Sequence, residues 1–214
     1  TKVIDTRYRR YMDSLEWQCL CAILHTGLQQ DPANKIIPSN RLLELRGLTP
    51  QQWQRMLICA DDEFVRNYVD IGVERLLLVT PNIETSKILR YKPYMQKAEG
   101  ELERTKIETN NFFAKSRYEN AKEEEEDTIK QITTMLANAK VLLKQKRFSL
   151  LHLSQIYQII RFEDYDEDRL LVILRRMRLL KFARRMVHIL SEYLYLEDGY
   201  APFAPLNDKK VRPI

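Results

Sequence analysis

The chain has 214 residues, 44% of them apolar and 30% charged, with 35 Lys and Arg against 30 Asp and Glu for a net charge of +5. That length supports one mid-sized domain or two small ones, with a core that needs neither disulfides nor metal. Only 5 Gly and 8 Pro argue against collagen-like or Pro/Gly-rich disordered chains. No apolar run approaches the ~18 residues of a membrane span.

The chain starts at Thr1 without Met, carries no signal-peptide core and stops abruptly at VRPI, so it reads as a piece of a longer protein. Cys19, Cys21 and Cys59 are odd in number and sit among apolar neighbours. They point to a reducing compartment, nucleus or cytoplasm, and away from secretion.

In chain order, residues 1–12 form a basic arm with Arg7, Arg9 and Arg10 interleaved with Tyr8 and Tyr11. Asp13 and Ser14 offer caps for a first helix, LEWQCLCAILHTGL, with a broad apolar stripe. A short helix follows Pro38-Ser39 and ends at Gly47. Thr49-Pro50 starts a third, with Trp53, Met56, Leu57 and Ala60 on one face. The pattern then changes period: Val65, Val69, Ile71 and Val73, interrupted by Asp70 and Gly72, predict a strand near 64–69, a turn at 70–74 and a return strand near 75–80.

Residues 82–127 are densely charged with mixed signs and are expected to form a helical linker. From Thr128 the helical period returns, in three helices: one through Leu143, LLHLSQIYQII, and DRLLVILRRMRLLKF. The stretch ARRMVHILSEYLYLEDGY then predicts a second hairpin turning at 197–199, followed by an extended tail over 201–214.

The expected fold class is therefore mainly α with small β-hairpins (α+β): tandem winged-helix-like units over 13–81 and 128–200, joined by the charged helical segment. The stretch LTPQQWQRMLICADDEFVRNYVDIGVERLLLVTP resembles small winged-helix modules of the LOTUS and DEP kind. That resemblance implies a winged helix for the first unit. In LOTUS proteins such modules bind RNA or dock a DEAD-box helicase; DEP modules bind membranes or partner proteins.

Motifs of chemistry are scarce. His25, His152 and His188 each stand alone, no Cys/His spacing suits zinc, and no glycine-rich phosphate loop or nucleophile elbow occurs. No enzyme activity, metal or cofactor is expected. The strongest cluster is basic: Arg169, Arg175, Arg176, Arg178, Lys181, Arg184 and Arg185, on and just after the third helix of the second unit. There they could meet nucleic acid, RNA or DNA, or an acidic partner. The same distribution, acids at the start of the helix and cations at its end, also suits the helix dipole. Arg7, Arg9 and Arg10 could track a nucleic-acid backbone. Gln51, Gln52, Trp53 and Arg55 in the first unit, with Val172 and Leu179 in the second, suggest protein docking.

These features together predict a non-enzymatic adaptor of a nucleic-acid-associated complex. It would bind protein partners through the first unit and nucleic acid or an acidic partner through the second. The alternatives are a purely structural protein–protein scaffold, with self-association left open, and a regulatory domain of an enzyme. No membrane span is expected.

Overall fold

Helix caps written into the sequence set the first elements. A computed structural model describes residues 12–34, 37–83, 85 and 97–208. Asp13 caps α1 (Ser14–Leu28) in a reciprocal box with Glu16. The short α2 (Ser39–Arg46) stops at Gly47, and Thr49 caps α3 (Pro50–Asp62) in a box with Gln52, with proline at its first position. Then come α4 (Arg66–Arg75), α5 (Phe112–Lys122), α6 (Asp127–Lys144), α7 (Leu150–Phe162), α8 (Glu167–Arg176) and α9 (Leu180–Leu194), with a 3-10 turn at Asp198–Tyr200.

Among the described residues there is no strand, which corrects the α+β expectation and its winged-helix-like units. The segment expected to be the first hairpin is α4. Val65, Val69, Gly72 and Leu76 are buried at steps of three and four, so one face of a helix carries them all. Gly72, expected in the turn, instead lies where α4 crosses α1. A Cβ there would sit 2.1 Å from the Ile23 carbonyl oxygen, and one on Gly27 would sit 1.9 Å from that of Tyr68. Two glycines thus let the helix backbones touch. The expected second hairpin is α9, whose Ala183, Met186, Val187, Leu190, Tyr193 and Leu194 form a buried helical stripe. Its expected turn at 197–199 opens the 3-10 segment.

The helix expected to run unbroken from Asp168 to Phe182 is split between α8 and α9. At the split, Arg178 adopts the left-handed conformation (φ 58°), Leu179 N–H bonds Leu174 C=O at 2.9 Å and Arg178 N–H bonds Arg175 C=O at 3.0 Å. This double bond closes the helix end and turns the chain. The ends of α3, α4 and α6 repeat it around Phe64, Leu77 and Lys146, all non-glycine residues with positive φ. Punctuation by side-chain-bearing residues leaves no glycine to read, which is why the ends of α4 and α8 were hidden.

Helix α1 packs against α2, α3, α4 and α9, while α6 packs against α5, α7 and α8. One buried cluster runs from Met12 to Leu196. Between α1 and the later helices, His25 Nδ1 lies 2.6 Å from Leu194 O, Gln29 donates to the Tyr157 hydroxyl at 2.9 Å, and Trp17 meets Tyr193 edge-on. Glu63, at the end of α3, accepts from Leu150 N–H at 2.8 Å and so caps α7, with Lys97 at 3.5 Å. Lys97 also donates to Phe148 O at 2.7 Å. Within the expected linker, Leu102, Ile107 and Tyr118 are buried, and Asn138 of α6 binds the backbone of Glu103, Lys106 and Glu108. That part of the linker is built into the fold.

Candidate functional site

Helix α8 is charged from end to end by its own sequence. Asp166 caps it through Arg169 N–H, Glu167 and Asp168 occupy the first turn, and Arg175 and Arg176 the last. Leu170, Ile173, Leu174 and Met177 face the core. The turn into α9 then exposes Arg178 and Lys181 and buries Leu179 completely. Arg175, Arg176, Arg178 and Lys181 stand exposed within seven positions, without a carboxylate partner among the described residues.

The other expected cations are engaged within the fold. Arg169 makes a two-point ion pair with Glu125, whose carboxylate is nearly buried, at 2.6 and 2.8 Å. That bond raises the Arg169 pKa further, so its charge is permanent. Arg184 donates to Ala204 O and Arg185 pairs with Asp208 at 2.5 and 2.9 Å, together fastening residues 204–208 along α9. Arg7, Arg9 and Arg10 lie outside the described residues. Of the expected protein-docking residues, Arg55 chelates the buried carboxylate of Glu16. Gln52 belongs to the α3 cap and Trp53 is buried, while Gln51 is exposed and Val172 is 37% exposed.

The fold adds residues that the sequence analysis did not single out as a site. Helix α5 runs antiparallel to α8: Arg117 donates to Met177 O at 3.3 Å at one end, and Glu125 holds Arg169 at the other. This brings Arg117 to the exposed arginines. Lys140 of α6 belongs to the same neighbourhood. Its pKa is lowered first by burial and then by the charges of Lys144, Arg117 and Arg185. At the start of α5, one helical turn before Arg117, stand Phe112 and Phe113, 76% and 81% exposed. The signal for that pair was an Asn cap followed by two adjacent phenylalanines, and only the fold shows that they stay outside the core.

Burial raises all three free thiols, Cys19 to about 11, so they stay protonated at neutral pH. Ser149 Oγ and His152 Nδ1 lie 3.1 Å apart, but both are buried and close the cap of α7. Burial lowers His152 to about 4, so the ring is neutral. Among the described residues no group of His, Cys, Asp or Glu is arranged to hold a metal ion, and no helix is long and apolar enough to cross a membrane. A cleft of about 470 Å³ beside α7 is rimmed by Glu163, Asp164, Glu167 and Tyr165. Arg161 also lines it, 3.5 Å from the Tyr200 ring centre and paired with Glu197.

Compared with protein-family models, curated proteins and solved structures, the chain matches none.

Proposed function

We propose that this chain is a non-catalytic binding module whose basic face, where α8 ends and α9 begins, takes a nucleic-acid backbone within a larger assembly. The observation that carries the reading is Arg175, Arg176, Arg178 and Lys181, exposed and unmatched by carboxylates among the described residues. Neighbouring Arg169 and Arg185 are neutralised by Glu125 and Asp208, so these four are left to an external anion. Arg117, Lys140 and Lys144 extend the positive potential across α5 and α6. Three free, buried thiols fit a reducing compartment, nucleus or cytoplasm.

The test is a salt titration of binding to a fluorescein-labelled nucleic-acid duplex. Neutralising three or four phosphates gives a slope of log K against log[salt] of about −2.7 to −3.6, and R175E/R176E should abolish binding while the thermal melt stays unchanged. Salt-insensitive binding, or full affinity in the variant, overturns the proposal. A second reading, a protein scaffold without nucleic-acid contact, is favoured by Leu77 and Val79, 85% and 93% exposed after α4.

A further inference from the structure

We infer that the strand taken by this face is single-stranded, with Phe112 and Phe113 as the platform on which its bases stack; the inference rests on the binding reading above. The two rings meet edge-on, 5.9 Å apart at 77°, and both stay out of the core cluster. Phenylalanine is a mediocre helix former, so neither propensity nor packing accounts for two of them at the start of α5. Their position is nonetheless fixed, because Asn111 Oδ1 accepts from Ala114 N–H at 2.9 Å and locks the first turn.

Phe113 lies one helical turn before Arg117, on the same face of α5. Arg117 in turn reaches the carbonyl of Met177, next to exposed Arg178. The antiparallel run of α5 on α8 keeps the rings at the cationic end and away from the acidic end, where Glu125 and Glu126 meet Arg169 and the Asp166 amide. Two exposed rings one helical turn from a cation combine an apolar face with positive charge. An unpaired nucleobase suits both halves of the surface, since its π-face stacks on the rings and its phosphate meets the cations. In a duplex the base faces are already stacked on one another, and the two phenylalanines would stay in water. Because all unpaired bases have π-faces, the site is expected to tolerate sequence and to accept RNA or DNA.

The experiment compares fluorescence anisotropy with labelled dT12, rU12 and a 12-base-pair duplex, for the native chain and two double variants. Both single strands are expected to bind at least tenfold more tightly than the duplex. F112A/F113A should lose tenfold or more for the single strands and leave the duplex affinity and salt slope unchanged. R175E/R176E should weaken all three probes. F113W should retain single-strand binding, as stacking requires, and a shared thermal midpoint shows that the variants are folded. If duplex and single strands bind alike and F112A/F113A changes neither, the stacking platform is overturned while the basic face stands. If no probe binds, both proposals fail. If only dT12 or only rU12 binds, the sequence-tolerant, sugar-tolerant platform is refuted.

Discussion

Replacing Gly72 by alanine separates the helical crossing from the turn that the sequence suggests. In α4 the new Cβ would stand 2.1 Å from the Ile23 carbonyl oxygen and 2.8 Å from its Cγ2, where ordinary contact begins near 3.4 Å. The close atom is backbone, so no rotamer change relieves it, and α1 and α4 must part by upwards of about 1 Å. Helix propensity alone would make alanine better by about 1 kcal/mol. Overpacking costs about 1–3 kcal/mol, and the separation also loosens Leu20, Ile23, Leu24 and Val69, all buried with the crossing. We expect a net loss of about 1–2 kcal/mol, or a Tm lower by about 2–8 °C for a chain of this size. Gly47→Ala is the control: its nearest atoms are 3.6 Å away, so its change stays within about 1 kcal/mol. Thermal melts of both variants by circular dichroism give the comparison. A Gly72→Ala protein as stable as the native chain would refute the crossing.

Two further outcomes follow from the same structure. Burial raises Glu63 to about 7, against attraction from Lys97 and the Leu150 N–H. Its carboxyl therefore holds a proton more tightly folded than unfolded, so its contribution to stability is complete below about pH 4.5 and falls as pH rises to about 7, by on the order of 3 kcal/mol. His152, lowered to about 4, acts in the opposite sense and loses stability as pH falls from about 6.5 to 4. Urea unfolding of native and Glu63→Gln chains isolates the first group. The native chain should lose stability relative to the variant between pH 4.5 and 7, and a pH-independent difference would exclude it. Lys146, exposed and left-handed after α6, should gain about 0.5–1 kcal/mol on replacement by glycine, read as a higher urea midpoint.

Much of the helical content was legible. Asp13 and Thr49-Pro50 announce helix starts that the structure keeps, because a cap is a hydrogen bond between residues three apart. The hairpins failed for a local reason as well. Valines at 65, 69 and 73 look like strand formers, but their spacing of four fits a helix, and burial on one face outweighs β-branching. The split between α8 and α9 left no mark, since Arg178 takes a left-handed conformation ordinarily given to glycine.

The candidate site divides in the same way. Arg175, Arg176, Arg178 and Lys181 could be named as a cationic run from their order alone. That Arg169, Arg184 and Arg185 are occupied by Glu125, Ala204 and Asp208 could not. Nor could the packing of α5, with its exposed Phe112 and Phe113, on the helix that carries the run, some sixty positions away along the chain. Local order determined where helices begin, which faces are apolar and how charge is sorted along each helix, because those depend on neighbours within one or two turns. The tertiary structure alone decided that Gly27 and Gly72 meet, which arginines are neutralised and which aromatic rings stay in water, because these depend on contacts closed by the packing of helices remote in sequence.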